Sequence, residues 1–157
     1  MILNFFLSLS IISSFTFAVC PDGWTKYDQS CYTLYQGFTS WLHAGSFCRE
    51  FGGHLATLNT TSKASNVQAF LTYVNHNATV WVGASDLRSE GLWVWDVDQA
   101  SFTNTNWAPG EPNQGVGGVT TDQDCLALVA RDNYKWHDIP CQRKYDYLCE
   151  RRSTATL

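Results

Sequence analysis

The chain is 157 residues long, 45% hydrophobic and 15% aromatic, and carries a formal net charge of −4 at pH 7. That length suits one domain able to bury its own core, and leaves no room for a second. The acidic balance, with no basic cluster beyond Arg143-Lys144 and Arg151-Arg152, argues against nucleic acid as a partner.

Residues 1–18 contain no charged side chain and run through Ile2, Leu3, Phe5, Phe6, Leu7, Leu9, Ile11 and Ile12 to Thr16 and Ala18. This pattern predicts a secretory signal peptide over 1–18, cleaved near Ala18, and a secreted mature domain over 19–157. Ser8, Ser10, Ser13 and Ser14 interrupt the apolar run, which falls short of the roughly 20 residues of a membrane span. Cys20, Cys31, Cys48, Cys125, Cys141 and Cys149 all follow it, an even set that reads as a disulfide framework in a secreted chain. Their spacing alone leaves the pairing open, and the lack of any C-x-x-C pair or H-x-x-x-H spacing ranks zinc far behind.

Residues 23–27 and 31–35 predict a hairpin about a turn at 28–30. After Thr39 or Ser40 as N-cap, Trp41, Ala44, Cys48 and Phe51 recur at helical spacing until Gly52-Gly53, which predicts a first amphipathic helix. A second helix is expected from about Ser62, with Val67, Phe70, Leu71 and Val74 as its apolar stripe. Strand-like runs follow at 81–84, 92–95, 126–129 and 145–149. Between Asp96 and Asp124 lies a long segment rich in Asn, Gly, Thr and Pro, which in a compact domain is functional or disordered. Its ends are tied near Trp107 and Cys125, so function is expected.

That segment holds Glu111-Pro112-Asn113, and downstream of Cys125 comes Trp136-His137-Asp138. A carboxylate only accepts hydrogen bonds, whereas an asparagine amide donates one and turns its oxygen elsewhere, so oxygen-bearing side chains here suit a hard cation and a polyhydroxylated ligand. The acidic residues gather in the same half, from Asp86 to Asp138. Trp41, Trp81, Trp93 and Trp95 read as core, and Trp107 and Trp136 as buried supports for the site. His43, His54 and His76 have no metal-spaced or catalytic partner, so each reads as a surface or hydrogen-bonded histidine. The chain offers no G-x-S-x-G, free cysteine, phosphate loop or zinc helix, which argues against an enzyme.

Together the two triplets, the six cysteines, the W-V-G-A strand and the G-x-W-x-W strand resemble the C-type lectin domain family over essentially all of the mature chain. The resemblance implies an α+β fold with two helices, small antiparallel sheets and a long calcium-binding loop. It implies disulfides Cys20–Cys31, Cys48–Cys149 and Cys125–Cys141. It further implies a cis Glu111–Pro112 bond and one calcium held by Glu111, Asn113, Gln123 and Asp138, with sugar hydroxyls also meeting His137. Family members carry an acidic residue where Gln123 stands and an asparagine where His137 stands, so weaker calcium binding is expected. Asp122 is a possible substitute ligand if the glycines at 115, 117 and 118 let it swing in. An auxiliary calcium site is expected at Asp86, Glu90 and Asp124, with a solvated loop as the competing reading. The Glu-Pro-Asn order implies mannose, glucose or N-acetylglucosamine preference rather than galactose. The expected partners are glycans on microbial surfaces, in innate immune recognition and agglutination by a homo-oligomer. The alternatives are a mineral-associated extracellular matrix protein on the same fold, or a domain with weak or calcium-independent sugar binding. Sequons at Asn59 and Asn77 mark candidate N-glycans in turns around the second helix, clear of the loop.

Overall fold

The computed structural model describes residues 18–113 and 122–155, so all but the last residue of the signal peptide expected over 1–18, and the glycines at 115, 117 and 118, lie outside it. A short ribbon pairs β1 (Ala18–Val19) with β10 (Thr154–Ala155), bringing the two ends of the described chain together. β2 (Thr25–Tyr27) and the longer β3 (Ser30–Thr39) form the expected hairpin, turning at Asp28, whose φ is 53°. Then come α1 (Trp41–Glu50), β4 (His54–Leu55), α2 (Thr61–Tyr73), β5 (Val80–Ser85), β6 (Val94–Trp95), β7 (Cys125–Val129), β8 (Lys135–Ile139) and β9 (Tyr145–Arg152). A 3-10 turn over Ala130–Asp132 joins β7 to β8.

Thr60 caps α2 by accepting a hydrogen bond from the Lys63 amide at 3.1 Å, while Ser40 precedes α1 without a side-chain cap. Gly52, at a φ of +72°, follows the end of α1 in the left-handed conformation that glycine adopts at least cost. Trp41, Ala44 and Cys48 are buried as the spacing predicted. Phe51 is instead 48% exposed, because the helix stops one residue earlier and its ring stacks on Tyr35 at 5.6 Å. Val74 leaves the α2 stripe for the same reason, as it is the residue after the last helical turn.

Eight strands join one sheet in the order β2-β3-β9-β5-β7-β8, with β4 on β9 and β6 on β5. The pairing of β5 with β9 is parallel and fuses what would otherwise be two small antiparallel sheets. β5 and β7 are buried along their whole length, so they read as unbroken apolar runs rather than alternating ones. Val80, Val82, Leu126 and Leu128 face the cluster built with Val67, Phe70 and Leu71 of α2. Trp81, Cys125 and Ala127 face the cluster with Trp41, Ala44 and Cys48 of α1. Gly83 lies so close to β4 that a Cβ there would meet the Leu55 carbonyl oxygen at 2.6 Å. All three expected disulfides are formed: Cys20–Cys31, Cys48–Cys149 and Cys125–Cys141. Cys48–Cys149 ties α1 to β9 across 101 residues, a closure contributing roughly 4 to 5 kcal/mol on the chain-entropy model.

Candidate functional site

The segment after β6 returns along the edge of β8, where Ala108 N donates to the Trp136 carbonyl and Trp136 N to the Asn106 carbonyl, each at 3.0 Å. Trp107 and Trp136 cross edge to face with centroids 5.7 Å apart, and Trp93, Trp95 and Phe102 pack around them. This aromatic block sets the height of the segment, and the Glu111 amide closes a turn on the Ala108 carbonyl at 3.0 Å. The Glu111–Pro112 peptide bond is cis, as expected.

Asp138 is 2% exposed, and both its carboxylate oxygens accept from the Asn113 backbone N–H, at 3.0 and 2.9 Å. The Asn113 amide donates to Glu111 Oε2 at 2.8 Å, and Gln123 Nε2 donates to Asn113 Oδ1 at 2.7 Å. Four of the expected residues therefore meet: Glu111, Asn113, Gln123 and Asp138. His137 joins them, with Nδ1 3.0 Å from Glu111 Oε1. Its Nε2 sits 2.7 Å from Asp132 Oδ2, close enough for an ion pair but off the line a hydrogen bond needs.

Burial, and next the facing Asp138 carboxylate, push Glu111 up to about 8, with Asp132 adding to the rise and the Asn113 amide opposing it. Carboxylates this close repel one another, and a divalent cation among them removes the conflict. The set also fits such a cation by donor type, since Glu111, Asn113, Gln123 and Asp138 all offer oxygen to a hard ion. The His137 ring does not fit, because a hard cation accepts imidazole nitrogen poorly.

Asp86, Glu90 and Asp124 form a second cluster, with one ligand atom of each within 4.8 Å of the others. Asp86 is 2% exposed and accepts from Gly91 N at 2.9 Å, while its own amide donates to the Asp124 carbonyl at 3.1 Å. Burial and then Asp86 raise the carboxyls of Glu90 and Asp124 above their usual range, with Asp122 contributing to both.

The sequence reading missed one neighbour of the site and set another apart from it. Asp132 reaches His137 from the 3-10 turn, a contact no linear spacing reveals. Asn77, expected clear of the loop, lines one groove of about 570 Å³ with Glu111, Asn113, Gln123, His137 and Asp138. The cause is topological: β5 begins beside β7 and β9, so the turn before it opens toward the site. Asn59 lines a different groove, with Lys63 and Glu150.

Residues 38–151 match the family model for the lectin C-type domain, and the chain belongs to that family. Members of this calcium-dependent lectin family generally bind carbohydrate and calcium and are generally non-enzymatic. Perlucin from Haliotis laevigata is 35% identical over 134 residues, covering 84% of this chain and 83% of that protein. A C-type lectin mannose-binding isoform from Oxyuranus scutellatus is 31% identical over 137 residues, covering 85% of this chain and 84% of its own. Among solved structures, the cow carbohydrate-recognition domain of CD23, obtained with a GlcNAc2Man3 oligosaccharide, superposes with a TM-score of 0.74. It is 28% identical and covers 87% of this chain and 98% of its own. No helix among the described residues is long and apolar enough to cross a membrane.

Proposed function

We propose that this protein is a secreted, calcium-dependent lectin for sugars of the mannose, glucose and N-acetylglucosamine type. The observation that carries the reading is the adjacency of Glu111 and Asn113, acceptor beside donor at 2.8 Å across a cis bond, with the buried Asp138 behind them. A bound calcium ion would hold two neighbouring sugar hydroxyls, and Glu111 and Asn113 would accept from and donate to the first of them. Gln123 and His137 would serve the second hydroxyl, with less charge than an acidic residue and an asparagine bring. Calcium affinity accordingly falls toward the ~0.1 to 1 mM of extracellular modules. Asp86, Glu90 and Asp124 would hold an auxiliary calcium that shapes the loop without touching sugar.

The relative named as mannose-binding supports the sugar class. Residues 1–18 serve as the signal peptide, and the biological role is recognition and agglutination of microbes. Agglutination needs linked sites, so the active form is a homo-oligomer. A reading with weakened calcium dependence is favoured by one contact, that of His137 with Glu111. Titration of mannose and galactose, with calcium and with a chelator, decides between them. Mannose preference abolished by chelation supports the proposal, and galactose preference or indifference to chelation overturns it.

A further inference from the structure

Asn77 lies in the turn between α2 and β5, is exposed, and begins the sequon Asn77-Ala78-Thr79. The turn is pinned on both sides of it. His76 is 7% exposed, with Nε2 3.0 Å from Asp146 Oδ2, and its carbonyl accepts from the Tyr134 hydroxyl. On the other side Val80 is fully buried, registered against Leu128 and Asp146. An exposed residue between two buried anchors presents whatever it carries in one direction. Here that direction is the groove shared with Glu111, Asn113, His137, Arg143 and Tyr145.

From this placement we infer that Asn77 is an N-glycosylation site whose own oligosaccharide occupies the sugar groove and competes with outside ligands. The inference rests on the sugar reading above and extends it to regulation of the same site. In the secretory pathway an oligosaccharide passes from a lipid-linked pyrophosphate donor to the Asn77 side-chain nitrogen. The anomeric carbon–nitrogen bond forms, the anomeric bond to pyrophosphate breaks, and the amide gives up one proton to the medium. The transferred chain is rich in mannose, whose hydroxyl pairs are those the Glu111-Pro112-Asn113 order selects. Tethering places such a ligand at an effective concentration of about millimolar, comparable to the affinity of a shallow single-sugar site. The groove is therefore filled in cis, and an outside sugar must displace the tethered one. Asn59 carries the second sequon but lines a separate groove, which makes it an internal control.

The test uses the full chain secreted from eukaryotic cells, as wild type and as N77Q, T79A and N59Q. Glycopeptide masses are expected to show a glycan on wild-type Asn77. In calcium, N77Q and T79A are expected to bind soluble mannose roughly three- to tenfold tighter than wild type, with N59Q unchanged. Complete enzymatic removal of the wild-type N-glycans, so that the trimmed protein carries no tethered sugar, reproduces the gain. An unmodified Asn77, or equal affinities of wild type, N77Q and trimmed protein, overturns the inference alone. Absence of sugar binding by every form overturns the lectin proposal and this inference with it.

Discussion

Replacing His137 by Asn is expected to tighten calcium binding, because the imidazole holds the carboxylate that the cation needs. His137 Nδ1 lies 3.0 Å from Glu111 Oε1, and the two side chains are only 15% and 11% exposed, so water replaces that contact poorly when it opens. An ion pair between side chains at this exposure contributes up to about 1 kcal/mol. Part of that is recovered when the ring turns to Asp132, whose side chain is 43% exposed and adaptable. Taking the upper end, removal of the competition corresponds to about a fivefold gain in affinity. The new amide also brings an oxygen of the type a hard cation prefers. The assay is a calcium titration followed by tryptophan emission, since Trp136 precedes His137 in β8 and packs on Trp107, with calorimetry in parallel. An unchanged or weaker affinity in H137N, with the melting temperature preserved, would refute the idea that His137 competes with the cation.

Further outcomes follow from the same contacts. Q123E restores a carboxylate beside Asn113 and is expected to strengthen calcium binding by about 1 to 2 kcal/mol, read in the same titration. Glu150 is 4% exposed, pairs with Lys63 at 2.7 Å and accepts from the Thr57 amide at 3.0 Å, so E150A is expected to cost roughly 3 kcal/mol in urea unfolding. G83A places a Cβ at 2.6 Å from the Leu55 carbonyl oxygen, and an overpacking cost of about 1 to 3 kcal/mol lowers its thermal midpoint. Removing Cys48–Cys149 by a double serine substitution is expected to cost roughly 4 kcal/mol, measured as the shift in denaturant midpoint.

Features carried by composition or short period were legible in the sequence. The apolar run at 81–84 belongs to a strand buried on both faces, and Trp41, Ala44 and Cys48 mark one helix face, so both survive translation into three dimensions. β8 was less legible, because its alternation of buried Trp136 and Asp138 with half-buried His137 is the same stretch as the ligand triplet. The two-residue strand β4 exists through its pairing with β9 and has no period of its own. Within the site, Glu111, Asn113, Gln123, His137 and Asp138 come together as the motif implied. Asp132 and Asn77 reach it from other elements, and only the fold brings them there.

Whether a sugar is held through calcium at Glu111 and Asn113 is decided by diffraction from crystals grown with calcium and mannose. An ion is expected about 2.3 to 2.6 Å from carboxylate oxygens of Glu111 and Asp138, with two neighbouring mannose hydroxyls completing its shell. Mannose bound elsewhere, or an ion at Asp86, Glu90 and Asp124 alone in saturating calcium, would contradict it.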